Sequence, residues 1–206
     1  MLKIKHFIEQ SWLLIVSSFI FGLLIAVTNA AWSPRIIQNE KDKLNNLMTG
    51  LISDANNFEI AIEALEIAGD KGKVVRTDLY KALDVNGKNI GFAFIAAGAG
   101  FADKIKLVIA VDGAFGKFAG FAVLVSNETP GFGSRIKEDY YLSQFKGVPV
   151  GKIVLVKTGD AEKIDSEIVA ISGATVSSEA VVKIFNTYVD NIKEQLQKKG
   201  LLNKGK

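Results

Sequence analysis

The 206-residue sequence contains no cysteine and a single histidine, His6, which lies close to its start. The absence of cysteine excludes disulfide bonds, iron–sulfur clusters held by thiolates and cysteine nucleophiles. The isolated histidine excludes Ser-His-Asp triads, histidine-ligated haem and the usual zinc sites from the body of the chain. Carboxylate chemistry, oxygen-ligated calcium or magnesium, and a bound organic cofactor are not excluded.

Signals for nucleic-acid or nucleotide binding are also missing. The formal net charge is only +3, and no basic stripe alternates with aromatic residues, so nothing indicates nucleic acid as a partner. Neither a phosphate-binding loop of the form GxxxxGK[ST] nor a full GxGxxG motif is present. The stretches "GAGFAD" and "GFGSRI" each hold only two of the glycines that such a motif needs.

No charged residue occurs between Glu9 and Arg35. The core of this gap, residues 12–32, is mostly apolar, and a helix of about 20 apolar residues spans a lipid bilayer. Trp12 and Trp32 stand at its two ends, where aromatic side chains favour the membrane interface. The pattern therefore predicts a single transmembrane anchor.

A cleaved signal peptide is the alternative interpretation of this run, with a poor cleavage site at 28–30. The run is longer than the roughly 7–15 apolar residues of a signal peptide, which favours a retained anchor. The basic residues on its two sides are nearly balanced, so they do not decide which end faces the cytoplasm. They are Lys3 and Lys5 on one side, and Arg35, Lys41 and Lys43 on the other.

Residues 33–70 are predicted to form a helical connector. Apolar residues recur there at spacings of three and four, which is typical of an amphipathic helix. The pattern predicts a helix that continues over 36–68 until "GDKGK", 69–73, interrupts it. The residues that set the spacing are Leu44, Leu47, Met48, Leu51 and Ile52.

The next part of the chain has the pattern of a β-sheet. Over 73–126, short β-branched or aromatic runs alternate with the turn sequences "VNGKN", "GAGFAD" and "DGAFG". A further strand is predicted at 151–157, and short connections between successive strands imply an antiparallel sheet. An amphipathic helix over about 177–198 and a tail over 199–206 follow. We expect an α+β fold, with an antiparallel-sheet domain over 71–198 and flanking helices.

A junction of small and hydroxyl residues, Ser172-Gly173-Ala174-Thr175, precedes the last predicted helix. Gly173 permits close approach of the backbone. Thr175 would present its hydroxyl just before the helix N-terminus, a position that favours a phosphate. Ser177 or Ser178 would cap the helix, and an ordinary cap is the commoner explanation for such a turn.

The second informative stretch is "ETPGFG", residues 128–133. Its Pro-Gly pair suits a tight turn with Gly131 at the position of positive φ. A plain hairpin needs only about two to five residues and no aromatic side chain at its tip. Phe132 therefore either packs into the core or contacts a flat ligand.

The two motifs, in this order and behind an anchor, closely resemble the covalent-FMN domain of the RnfG and NqrC subunits. RnfG belongs to the Rnf ion-translocating ferredoxin:NAD⁺ oxidoreductase, and NqrC to the Na⁺-translocating NADH:quinone oxidoreductase. The resemblance covers about 90–185 and implies FMN on Thr175 through a phosphoester, with the ETPG turn beside the flavin. Phe132 stands where Leu is frequent. The implied cofactor-binding residues are Thr175, Ser172, Gly173, Ala174, Ser177, Glu128, Thr129, Gly131, Phe132 and Gly133, with no catalytic or metal-ligating residue.

The resemblance implies an electron-transfer subunit of a translocating oxidoreductase rather than a stand-alone enzyme. The chain length favours RnfG over NqrC. Two other classes are a membrane-anchored flavin-binding module without redox turnover, and a structural subunit in which SGAT is only a helix cap. The predicted membrane span has no ionisable residue, so we expect no ion pathway within this chain.

Partners and location follow from the same resemblance. The expected partners are a membrane subunit with its own covalent FMN, a membrane pair holding an iron–sulfur centre, and the subunits that react with ferredoxin and NAD⁺. A threonine hydroxyl is a poor nucleophile without a neighbouring base, so an FAD-dependent flavin transferase is also expected. Residues 1–11 are expected in the cytoplasm, the anchor 12–32 in membrane lipid and the FMN domain outside the cytoplasm.

Overall fold

The computed structural model of the chain describes residues 2–69 and 74–202. These residues divide into two units, one that ends at Lys43 and one that begins at Leu44. The first helix, α1 (Leu2–Leu51), makes up the first unit and continues into the second. Most of the predicted break at 69–73, and the end of the predicted tail, 203–206, lie outside the described residues.

The first unit is a helix that is long and apolar enough to cross a membrane. At about 1.5 Å per residue, residues 12–32 extend over about 30 Å, the thickness of a bilayer core. The side chains of Trp12 and Trp32 are exposed, as are most apolar side chains between them. The hydroxyls in this stretch donate to carbonyls of their own helix, for example Thr28 to Leu24 at 2.7 Å, so they need no water.

A five-stranded antiparallel sheet forms the centre of the second unit and confirms the predicted fold class. Each strand pairs with its neighbours in sequence, in the order β1-β2-β3-β4-β5. The connections are short hairpins because turn residues separate the strands. The strands are β1 (Asn57–Ala68), β2 (Val74–Leu83), β3 (Asn89–Ala99), β4 (Lys104–Asp112) and β5 (Phe118–Val125).

Both faces of this sheet are covered, because side chains alternate between the faces along each strand. In β4, Leu107 and Ile109 pack under the last long helix, α3 (Thr175–Lys198), whereas Val108 and Ala110 face the end of α1. From α1, Met48 and Ile52 enter this second cluster. The result is a three-layer arrangement of helix, sheet and helix.

A group of aromatic rings attaches the segment after β5 to the core. This segment contains a short 3-10 helix, Gly133–Lys137, followed by α2 (Asp139–Leu142) and a second 3-10 turn, Ser143–Phe145. The ring of Phe121 on β5 packs edge to face on Phe145 at 4.7 Å and on Phe185 of α3 at 5.4 Å. Such edge-to-face contacts stabilise the core beyond their buried area. They fix the position of the loop that carries "ETPGFG".

The predicted helix over 36–68 is wrong beyond Leu51, because residues 57–68 form strand β1. The register of β1 against β2 shifts between Ile60 and Ile62 and again between Ile62 and Leu65. A β-bulge inserts an extra residue and changes which face the following side chains occupy. The buried residues Ile62 and Leu65 are therefore three apart, as they would be on a helix.

Two further expectations need correction. The strand predicted at 151–157 is short, β6 (Val154–Val156), and pairs in parallel with β7 (Glu167–Val169) instead of joining the main sheet. The residues between the two strands form the crossover that a parallel pair requires. The start of the predicted tail is packed, since Leu202 is buried in the main core.

Candidate functional site

Three segments that are distant in sequence meet at one edge of the second unit. They are the turn between β3 and β4, the loop after β5, and the N-terminus of α3. Together they line an open cleft of about 500 Å³, within the range of roughly 300–1,000 Å³ that small-molecule sites occupy. The lining residues are Phe101, Thr129, Phe132, Gly133, Gly173, Ala174, Thr175, Val176 and Ser177.

Thr175 is the first residue of α3, and its side chain is exposed to the cleft. The N-cap residue is Ala174, which has no side-chain oxygen to accept from the first N–H groups of the helix. The expectation that Ser177 or Ser178 caps this helix is wrong, because the helix begins before both residues. The turn therefore leaves an uncapped, electropositive helix end beside an exposed hydroxyl.

Ser178 instead holds the two ends of the SGAT turn in place. Its buried hydroxyl accepts a hydrogen bond from the N–H of Ile171 at 3.0 Å and donates one to the carbonyl of Ala174 at 3.0 Å. The phenol of Tyr141 donates to the carbonyl of Ser178 at 3.3 Å, and burial raises the pKa of that phenol. Within the turn, Gly173 has a φ of +79°, a conformation that residues with a Cβ adopt rarely.

The sequence "ETPGFG" forms a type II turn with Pro130 and Gly131 at its centre. The carbonyl of Thr129 accepts from the N–H of Phe132 at 3.2 Å, and Gly131 has a φ of +76°. The side chain of Phe132 is 58 % exposed, so it does not pack into the core. Its ring lies against the SGAT turn, 3.4 Å from where a Cβ on Gly173 would sit.

The buried side chain of Glu128 joins all three segments of the site. Its Oε1 accepts from the backbone N–H groups of Phe101 at 2.9 Å and Ala102 at 3.0 Å. Its Oε2 accepts a hydrogen bond from the hydroxyl of Ser177 in α3. A Cβ on Gly133 would lie 2.6 Å from Oε2 and 2.5 Å from the Ser177 hydroxyl, so only glycine fits there. Glu128 thus lies behind the wall of the cleft.

A second polar contact ties the β3–β4 turn to the loop after β5. The side-chain amide of Asn127 donates to Oδ2 of Asp103 at 2.9 Å, and the N–H of Lys104 donates to Oδ1 at 2.7 Å. These two hydrogen bonds lower the pKa of Asp103. The turn is therefore fixed on both sides of Phe101.

The structure places the predicted cofactor-binding residues in two groups. Seven of them line the cleft: Thr129, Phe132, Gly133, Gly173, Ala174, Thr175 and Ser177. The other three, Glu128, Gly131 and Ser172, are adjacent in sequence to lining residues but do not line it themselves. Among the described residues, no group of His, Asp and Glu side chains is arranged to hold a metal ion.

Sequence reasoning missed two lining residues, Phe101 and Val176. Phe101 is 68 % exposed, more than Phe132, although it is a large aromatic side chain. It lies in "GAGFAD", a stretch that drew attention only for its glycines. An aromatic residue at the tip of a short turn was the available signal, the same one that singled out Phe132.

Residues 100–190, which include all the lining residues, match the family of FMN-binding domains. The G subunit of an ion-translocating oxidoreductase complex from Methanosarcina acetivorans is 29 % identical over 88 % of this chain and 92 % of its own length. The G subunit of the proton-translocating ferredoxin:NAD⁺ oxidoreductase complex of Clostridium ljungdahlii is 31 % identical, over 87 % and 88 %. The chain belongs to the RnfG family, the G subunits of the ion-translocating oxidoreductase complexes, which confirms the resemblance found in the sequence.

Solved structures of a related subunit share the fold. NqrC of Shewanella oneidensis is 25 % identical with a TM-score of 0.52, and the match covers 71 % of this chain and 73 % of that one. NqrC of Parabacteroides distasonis, from its Na⁺-translocating NADH-quinone reductase, is 19 % identical with a TM-score of 0.53, over 77 % and 95 %. The second likeness concerns the fold alone.

Proposed function

We propose that this chain is the electron-transfer subunit of a membrane-bound, ion-translocating ferredoxin:NAD⁺ oxidoreductase and carries FMN covalently through a phosphoester to Thr175. The observation that carries the proposal is the position of Thr175. Its exposed hydroxyl lies at the uncapped N-terminus of α3, inside a cleft lined by two exposed aromatic side chains. No residue that lines the cleft is charged.

These residues fit the two chemically different parts of FMN. A phosphodiester keeps one negative charge, and the free N–H groups and the dipole at the start of α3 favour an anion there. The aromatic and small residues of the cleft suit a flat, largely apolar ring system. Flavin supplies one- and two-electron chemistry when it is bound, and the chain's residues hold it and exclude water from one side.

Attachment requires a second protein. The Thr175 hydroxyl would attack the flavin-side phosphorus of FAD, so that a threonine O–P bond forms, the pyrophosphate bond breaks and AMP leaves. A base must take the hydroxyl proton, yet the only histidine of the sequence is His6, and none of the residues lining the cleft is a base. An FAD-dependent flavin transferase therefore supplies this step.

The partners of the mature protein are other subunits of the same complex, since its relatives are subunits of such complexes. The proposed set is a membrane subunit with its own covalent FMN, a membrane pair with an iron–sulfur centre, and the subunits that react with ferredoxin and NAD⁺. The flavin domain faces away from the cytoplasm, with residues 1–11 on the cytoplasmic side. Membrane lipid surrounds residues 12–32.

The anchor gives a direct prediction. N-terminal sequencing of the mature, membrane-extracted protein will begin at or near Met1, because residues 12–32 match the bilayer in length and the site at 28–30 is a poor cleavage site. Washing membranes with alkaline carbonate will leave the protein in the pellet. A mature sequence that begins near Ala31 would show instead that the helix is a signal peptide.

A subunit of the Na⁺-translocating NADH:quinone type is the second candidate, favoured by the solved NqrC structure that is 25 % identical to this chain. The sequence relatives that cover most of this chain are G subunits of the ferredoxin-linked complexes. The purified complex separates the two candidates. Reduction of its flavins by reduced ferredoxin but not by quinol supports the first, and the presence of a quinone-reducing site supports the second.

Intact mass of the purified full chain tests the cofactor itself. The protein co-expressed with its flavin transferase will be heavier than the calculated chain by one FMN less water, and its gel band will fluoresce under ultraviolet light after denaturation. The protein made without the transferase is the matched control and will have the bare mass. Equal bare masses in the two preparations would refute covalent attachment.

A second prediction concerns the type II turn at Gly131. Gly131→Val will weaken the hold on the flavin, because a β-branched residue resists the positive φ of +76° that this position requires. A Cβ at Gly131 meets no other atom within 4 Å, so the effect comes from the backbone alone. The measurement is visible circular dichroism of the attached flavin, together with thermal unfolding.

Gly131→Asn is the matched control, since asparagine tolerates the left-handed region far better than valine. It will retain most of the flavin signal. If valine and asparagine give identical spectra to the wild type, the turn does not position the flavin.

A further inference from the structure

The β3–β4 turn forms the wall of the cleft that faces away from the known sequence motifs. Phe101 lies at its tip and lines the same cleft as Phe132 and Thr175. Its side chain is 68 % exposed, although a phenylalanine is normally among the most buried residues of a domain. Nothing in the core requires a large apolar ring at this position.

The backbone at Phe101 is nevertheless firmly held. Its N–H and that of Ala102 both donate to Oε1 of the buried Glu128, and the neighbouring Gly100 accepts no Cβ because Glu128 and the carbonyl of Asp103 occupy that space. The N–H of Gly100 donates to the carbonyl of Asp103 at 2.8 Å. An exposed apolar ring on a fixed backbone is the arrangement of a ligand-contacting residue rather than of a flexible loop tip.

We infer that Phe101 is a second aromatic contact of the cofactor and binds the flat ring of the flavin from the side opposite the ETPGFG turn. This inference rests on the proposed attachment at Thr175. Aromatic side chains stack on flat heteroaromatic rings without needing a particular hydrogen-bond pattern. The two phenylalanines thus set the ring's orientation, while Thr175 and the start of α3 hold the phosphate. Glu128 acts on the cofactor only through the backbone that it fixes.

The test uses the flavin as its own reporter. In Phe101→Trp, the electron-rich indole will quench the fluorescence of the attached flavin severalfold, because such quenching requires van der Waals contact or close to it. Val85→Trp is the matched control: Val85 is 80 % exposed and does not line the cleft, so its variant will fluoresce like the wild type. Both are made as the full chain, co-expressed with the flavin transferase, and normalised by flavin absorbance.

Phe101→Ala provides an independent measurement. Removal of the ring will increase the rate constant for iodide quenching of the attached flavin, whereas Val85→Ala will leave it unchanged. Neither substitution should alter thermal unfolding by much, since both side chains are exposed. Intact mass reports attachment at Thr175 separately. A flavinylated Phe101→Trp protein with wild-type fluorescence would overturn this inference and leave the attachment standing, whereas a wild-type chain without flavin mass would overturn the proposed function.

Discussion

Purified Thr175→Ala protein will have the mass of the bare chain and no fluorescent gel band, even when the flavin transferase is present. The substitution removes the only side-chain hydroxyl at the first position of α3, where the anion-binding helix end and the cleft coincide. Its effect on folding will be small, because the Thr175 side chain is exposed and makes no capping hydrogen bond. The loss of flavin is therefore expected to be complete while thermal unfolding of the bare chains stays within about 0.5 kcal/mol.

Thr175→Ser is the matched variant for this experiment. It keeps a hydroxyl at the same backbone position, and we expect it to retain attached flavin. Retention of flavin in Thr175→Ala would move the attachment to another hydroxyl of the turn. Ser172 is exposed beside the turn, whereas the hydroxyl of Ser177 is buried and donates to Glu128, so Ser172 would be the first to examine.

The same variant will stop electron flow through the assembled complex. The chain has no cysteine, and its only histidine is His6, so no other side chain can hold a redox centre in place of the flavin. Assembly depends on the anchor helix and on the surface of the domain, which the substitution leaves intact. The variant complex will therefore purify with all its subunits but fail to couple ferredoxin oxidation to NAD⁺ reduction. Near-normal turnover would mean that this flavin is not on the main route.

The sheet could be predicted because its strands follow simple alternation and are joined by obvious turn residues. In β3 and β4 the apolar residues repeat with period two and are buried on both faces. Strand β1 could not be predicted in this way, since its bulges put Ile62 and Leu65 at a helical spacing. Strand bulges depend on the partner strand, which a single segment does not reveal.

The candidate site was predictable in part for a related reason. The two motifs with unusual local chemistry, "ETPGFG" and "SGAT", stand out in the sequence and do come together in the cleft. The third wall does not stand out, because Phe101 belongs to a short turn of ordinary composition. Its place in the site depends on hydrogen bonds to Glu128, 27 residues further along the chain. Long-range contacts of a buried carboxylate leave no periodic signal in the sequence.

Glu128→Ala will destabilise the domain and disorder the cleft, although Glu128 does not line it. The buried carboxylate accepts hydrogen bonds from the N–H groups of Phe101 and Ala102 and from the hydroxyl of Ser177. An unsatisfied buried donor costs about 1–3 kcal/mol, so the loss of all three partners should cost at least about 3 kcal/mol. For a chain of this size, that lowers the midpoint of thermal unfolding by roughly 6–12 °C.

Glu128→Gln separates this bracing role from a direct flavin contact. A glutamine oxygen still accepts from both backbone N–H groups, and its amide can donate to the Ser177 oxygen, so the fold should lose no more than about 1 kcal/mol. If Glu128 braces the wall, the glutamine variant will keep both the flavin spectrum and the unfolding temperature, and the alanine variant will lose both. An alanine variant that unfolds like the wild type but shows an altered flavin spectrum would instead make Glu128 a contact of the cofactor. Thermal unfolding and visible circular dichroism, measured on the same flavinylated samples, distinguish the two outcomes.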